Sequence, residues 1–345
     1  MESRSPYPGK ELSHVGAQRA QREFFIEESR QALFGYIDFL RLIRNPLASF
    51  ASRGEAAFMI RVGPAGWSYQ DWEGLVYPPP PKGTRFDPLA YLAGFFDTLE
   101  LNNTFYRPPT PSMAKSWVKR VESNPRFRFT AKLYRGFTHA RESITKADET
   151  AFKDGLSPLV EAGRLGALLL QFPYAFHQNE QNRAYLRALA EGFREFPLVL
   201  EVRHASWDRA PVYRFLREIQ VGFCNLDQPR VSYSIGPTRK VTAKVGYLRL
   251  HGRNVKDWFR EDAGRDARYD YLYNEFELFE IAERIRQIAK EAEEVYVITN
   301  NHYRGKAVCN ALELKAKLGE KNLKIPGVLL EHYPQLKELQ EEEKT

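Results

Sequence analysis

Cysteine is nearly missing from this 345-residue chain: Cys224 and Cys309 are the two, and neither sits in a zinc or redox spacing. A disulfide framework is therefore excluded. Long apolar runs are missing too. No stretch approaches the roughly 20 apolar residues of a spanning helix, and the polar opening Met1 to Gly16 has no basic-then-apolar leader pattern. The expectation is a cytoplasmic protein with no membrane partner. No block of five or six like charges occurs before residue 330, so the net charge of +7 is dispersed rather than concentrated in a nucleic-acid-binding tract. No G-x-G-x-x-G follows the first strand candidate, where Gly63-Pro64-Ala65-Gly66-Trp67 reads as a turn, and no H-E-x-x-H occurs.

What is present is an ordinary globular composition, 43% hydrophobic and 28% charged, with 23 Phe, 18 Tyr and 5 Trp for a large core and for stacking surfaces. From Met59 onward eight short apolar segments read as strands: 60–63, 98–102, 127–132, 167–172, 198–203, 221–227, 246–251 and 295–301. Helical patterns separate most of them, over about 87–96, 112–122, 146–163, 182–195, 211–220, 273–292 and 305–318; the connection 228–244 lacks one. Eight strands alternating with helices in under 300 residues predict an α/β fold of the (β/α)8 TIM-barrel type, with an open doubly wound sheet as the runner-up.

Residues 1–58 read as an N-terminal helical extension and linker. Apolar residues between Ala17 and Ile43 recur at helical spacing until Asn45-Pro46, an amphipathic helix that would dock on the main domain or contact a partner or second subunit. Met59 immediately precedes the first strand, and a shorter chain could begin there. Residues 334–345 form an acidic tail ending in Glu341 to Glu343.

Five strand ends carry polar residues spaced i, i+2: Glu100/Asn102, Thr130/Lys132, Glu201/Arg203, Arg249/His251 and Asn300/His302. Such pairs share one face, while Leu99, Leu101, Leu200, Val202, Leu248 and Leu250 take the other. In a barrel these pairs form a ring at the C-terminal mouth, where catalytic groups of such folds gather.

Local strings recur in order along residues 59–333: Gly66-Trp67-Ser68-Tyr69 with Trp72 and Tyr77-Pro78, Glu100 through Arg107, Lys132 through His139, Gln171-Phe-Pro173, Glu201-Val-Arg203-His204 with Trp207, Arg249-Leu-His251-Gly252, and Asn300-Asn301-His302 with Gly305. In that order and spacing the chain resembles the YecE-like domain-of-unknown-function family of TIM-barrel proteins. The resemblance implies a fold and not a reaction. Pro64-Ala65 stands where the family commonly has hydroxyl residues, and the 58-residue extension lies outside the family pattern.

Glu100, Glu201, His251 and Lys132 are the candidate catalytic residues. The two carboxylates would divide acid and base roles or, as the structural alternative, form buried salt bridges with Arg203 or Arg249. Lys132 is a Schiff-base or general-base amine, or more plainly an anchor for phosphate or carboxylate. Four of the seven histidines, His139, His204, His251 and His302, are expected on one rim. Arg203 and Arg249 would clamp an anion; Asn102, Gln171, Asn300 and Asn301 would orient hydroxyls or carbonyls; Trp67, Tyr106, His204, His302 and Asp227 complete the candidate binding set.

Glu100, Glu201, Asp227, His251 and His302 could assemble a divalent-metal site, but the cations in the same mouth would repel a metal, so metal is not the favoured cofactor. Residues 252–271 form a long polar loop with Gly252 and Gly264, a candidate lid. Three readings compete: acid-base chemistry, hydrolase or isomerase in type, on a small anionic or polyhydroxy substrate; a metal-dependent nucleic-acid hydrolase or DNA binder; and a non-catalytic metabolite-binding protein.

Overall fold

The computed structural model describes residues 59–340 except 81, 84, 231, 232, 259 and 261–264. The expected helical extension over 1–58 and the acidic residues from 341 onward lie outside the described residues.

Eight parallel strands, β1 (Met59–Pro64), β2 (Thr98–Leu101), β3 (Arg128–Lys132), β4 (Leu165–Gln171), β5 (Leu198–Glu201), β6 (Gly222–Asp227), β7 (Val245–Leu250) and β8 (Glu294–Thr299), pair in the order β1-β8-β7-β6-β5-β4-β3-β2. The ends of that order meet where Gly66 N–H donates to the Glu100 carbonyl at 3.0 Å, so a short bridge closes the (β/α)8 barrel. Gly63 permits the approach: a Cβ there would lie 1.9 Å from the Thr98 carbonyl oxygen.

The helices form where their ends are capped. Asp87 accepts from the backbone N–H groups of Leu89 and Ala90, ahead of Pro88 at the first helical position. Thr145 with Asp148 and Asn274 with Glu277 form reciprocal capping boxes that start the helices Lys146–Glu161 and Glu275–Ala289. Among its described residues the connection from β6 to β7 has no helix, as its sequence predicts.

Strand parity divides the core in two. Leu99, Leu101, Leu200, Val202, Leu248 and Leu250 face the helices in one large apolar layer. Ala167, Leu169, Val199, Cys224, Leu226, Tyr247, Tyr296 and Ile298 fill the barrel interior as a second cluster. Above that plug, toward the C-terminal ends of the strands, inward residues are polar. The buried residues there include Thr130, Glu100, Glu201, Arg249 and His251.

Candidate active site at the barrel mouth

Arg249 on β7 is the keystone of the polar ring. Its Nη1 donates to Glu201 Oε2 at 2.5 Å and its Nη2 to Glu100 Oε1 at 2.8 Å, with all three side chains at most 1% exposed. The Tyr247 hydroxyl lies 3.0 Å from Glu100 Oε2 and 2.9 Å from Thr130 Oγ1. Arg203 Nη2 donates to Glu201 Oε1 at 2.9 Å. The guanidinium groups of Arg249 and Arg203, with the His251 ring alongside, hold the Glu201 carboxyl well below the usual range against its burial. Glu100, Glu201 and Arg249 therefore form the charged floor of the mouth, the salt-bridge alternative of the sequence reading. None of them is among the residues that line the cleft above; they stand beneath it.

His251, also fully buried, stands beside this floor. The Asn300 amide nitrogen is 3.0 Å from its Nδ1, and because an amide NH2 only donates, Nδ1 accepts and the ring proton sits on Nε2, 3.6 Å from Glu201 Oε1. Burial and the Arg203 guanidinium push the imidazole down to about 3, so it is neutral at physiological pH.

Over the floor opens a cleft of about 530 Å³, lined by Lys132, Asn102, Gln171, Asn300 and His302 with an aromatic surround that includes Tyr69, Phe105 and Tyr269. Lys132 is its one charged lining residue among those described. Its Nζ is 3.8 Å from Glu100 Oε1 and 5.7 Å from the centre of the Phe105 ring. Burial and the Arg249 guanidinium push its ammonium down to about 8, against the upward pull of Glu100 and Glu201. Strand parity puts Lys132 there, and Thr104, whose hydroxyl donates to the Lys132 carbonyl at 2.7 Å, ties the end of β3 to the loop after β2.

The Gly66–Tyr77 loop builds one wall. Gly66 takes φ +81°, and a Cβ there would crowd the Asn102 amide nitrogen at 3.2 Å. Trp72 Nε1 donates to the His302 carbonyl at 2.8 Å, and the His302 ring stacks on Tyr69 with centroids 4.5 Å apart. Trp67 and the exposed Tyr106 stand at the rim of the same cleft. The Asn102 Oδ1 and Gln171 Oε1 atoms are buried with no hydrogen-bond partner among the described residues.

Three expected site residues fall elsewhere. Asp227 lies on the outward face of β6, held by Arg253 and Arg284 at 2.8 Å each and by the Tyr273 hydroxyl at 3.0 Å, a correction to its expected place in the mouth. Asn301 points away from Asn300 and His302 and binds the Tyr271 carbonyl and Asn310. His204 stacks on His177 with centroids 3.9 Å apart and accepts from Ser206 N–H, outside the cleft. Sequence reasoning did not single out Tyr269 or Arg268, which come from the long loop after β7. Among the described residues no three His, Cys, Asp or Glu side chains converge on a point that could hold a metal ion. No helix among them is long and apolar enough to cross a membrane.

This chain belongs to the family described as protein of unknown function DUF72, which matches residues 61–335. It is 30% identical over 270 residues to the UPF0759 protein YunF of Bacillus subtilis, covering 74% of this chain and 93% of that one. Two solved structures are similar. A DUF72 family protein from Thermotoga maritima is 36% identical with a TM-score of 0.66, covering 76% of this chain and all of that one (100%). A DUF72 family protein from Enterococcus faecalis is 29% identical with a TM-score of 0.68, covering 76% and 96%.

Proposed function

We propose that this DUF72 family member is an enzyme that moves a proton on a small anionic or polyhydroxy substrate, with Lys132 as the group that carries it. The observation behind this reading is the state of Lys132: a lysine lining the cleft, 3.8 Å from the buried Glu100 carboxylate, with its ammonium pushed down to about 8. At pH 7 about a tenth of such a group is free amine, against well under a thousandth for an ordinary lysine. A group that titrates near the working pH serves as both base and acid. After accepting a proton, the ammonium is received by Glu100 at 3.8 Å and by the face of Phe105. Asn102, Gln171 and Asn300 supply neutral hydrogen-bonding groups to orient hydroxyl or carbonyl oxygens around it.

The reading is tested by incubating the protein in D2O with small sugars, sugar acids and keto acids and following loss of C–H signals by NMR. Exchange should occur with at least one ligand class and fall at least a hundredfold in Lys132→Met. Exchange undiminished in that variant would refute the role of Lys132. Ligand binding with no exchange in either protein would instead favour a metabolite-binding protein.

A further inference from the structure

A second cavity of about 320 Å³ adjoins the cleft and shares Gln171 and Tyr269 with it. Its character differs. Arg203, Arg268 and His139 line it, beside Tyr174 and the Phe172-Pro173 turn. No carboxylate lines either cavity among the described residues.

Among the described residues, the charges that line this annex are of one sign. Lys132, Arg203 and Arg249 share the two carboxylates Glu100 and Glu201, so the floor carries one positive charge in excess before Arg268 is added. Arg268 Nη2 donates to the Arg260 carbonyl, a neutral partner, while its Nε is buried with no hydrogen-bond partner among the described residues. A buried guanidinium N–H without an acceptor is costly, and an anion in the annex would remove that cost. The cleft beside it makes the complementary demand. Asn102 Oδ1 and Gln171 Oε1 are buried acceptors lacking donors among the described residues. They suit hydroxyl groups, which donate, and not a second anion. Aromatic faces on the cleft wall suit the C–H faces of a sugar.

We propose that the two cavities are one bipartite site for a polyhydroxy compound with a terminal anion, a sugar phosphate or sugar acid. The anionic end lies in the Arg203–Arg268–His139 annex and the hydroxyl-bearing chain runs past Gln171 to Lys132. This rests on the reading of Lys132 only for what happens to the chain; the binding argument stands on the two cavities and their unmet hydrogen-bonding groups. Arg249, buried and paired through its two terminal nitrogens with Glu201 and Glu100, lines neither cavity.

The test is calorimetric titration of the full chain with ribose, ribose 5-phosphate, ribonate and inorganic phosphate. At least one of the two charged sugars should bind tenfold or more tightly than ribose and weaken with salt; which one does separates phosphate from carboxylate. Arg268→Gln should bring that ligand to within about threefold of ribose, and inorganic phosphate should compete in the wild-type protein without any need for a variant to fold. Charged sugars that bind no better than ribose, or binding unmoved in a folded Arg268→Gln protein, would overturn the proposal. Tight, salt-sensitive binding with no Lys132-dependent exchange would leave the bipartite site standing and remove the proton-transfer reading. Lys132-dependent exchange on neutral sugars alone would do the reverse.

Discussion

Lys132→Met is expected to make this protein more stable at neutral pH while removing its activity. The ammonium gives up its proton at about 8 in the fold, against 10.5 for an ordinary lysine. At about 1.4 kcal/mol per tenfold change, keeping the charge costs the fold about 3 kcal/mol at pH 7. That figure is an upper bound, because the side chain is 14% exposed toward the cleft. Met matches the stem, brings no charge, and leaves Arg203 and Arg249 balanced against Glu100 and Glu201, so a gain of about 1 to 3 kcal/mol is expected.

Linkage gives the sign of the pH dependence. Between about 8 and 10.5 the unfolded chain binds a proton at Lys132 that the folded chain does not, so wild-type stability rises with pH through that window. Below 8 both states are protonated and this contribution is flat. The difference between variant and wild type, from urea unfolding at pH 7, 8, 9 and 10, should therefore shrink as pH rises. A variant less stable than wild type at pH 7, or a difference that does not change with pH, would refute the argument that burial strains this lysine.

Glu201→Gln should cost about 3 to 5 kcal/mol in urea unfolding, because it leaves the buried Arg249 with Glu100 as its one carboxylate and takes a carboxylate from Arg203; a loss under 1 kcal/mol would mean the floor is not a coupled unit. His251 is held down to about 3. As pH falls below about 6.5 the unfolded state takes up a proton that the fold refuses, so stability is lost from 6.5 toward 3, by up to about 5 kcal/mol. His251→Gln should flatten the limb between pH 6.5 and 5 in acid-unfolding curves, leaving the loss from Glu201 below 4.5; an unchanged limb contradicts the assignment. Gly66→Ala, strained at φ +81° and crowding Asn102, should lose about 1 kcal/mol of stability or more and weaken sugar binding by calorimetry, whereas Gly74→Ala, also at positive φ but with open space around it, should lose stability alone.

Strand parity is why most of the ring was legible in advance. An i, i+2 polar pair at the end of an apolar run can face only one way, and Glu100, Lys132, Glu201, Arg203, Arg249, Asn300 and His302 all came to the mouth. The same rule explains the failure at β6. Asn225 and Asp227 also form a polar i, i+2 pair, but the inward set there is Cys224 and Leu226. Polar residues face outward on this strand because polar partners meet them there: the loop 228–244, where Asn225 bonds Thr238 and Lys240, and Arg284 of the helix Glu275–Ala289, which bonds Asp227. The missing helical pattern over 228–244 was the signal that could have placed Asp227. Arg268 and Tyr269 had no comparable signal, since they reach the mouth from a loop where neither period nor parity applies. Which ring residues line the cleft and which lie under it was also out of reach, because depth depends on how Arg249 spans two carboxylates from different strands.

That spanning arrangement assigns the carboxylates a role that can be measured. Glu100 raises the Lys132 ammonium toward its usual range while burial and Arg249 lower it. Glu100→Gln keeps the volume and an acceptor for Arg249 Nη2, but removes the charge 3.8 Å from Nζ. Three cations then share Glu201 alone. The Lys132 ammonium must fall further below about 8, and the basic limb of the exchange rate against pH must move down with it. At pH 7 more of the lysine is then free amine, so exchange by the folded variant should rise, an unusual outcome for removing a carboxylate from an active site. If Glu100 were itself the proton carrier, the same substitution would abolish exchange at every pH. The direction in which the pH limb moves therefore decides whether Lys132 or Glu100 holds the proton.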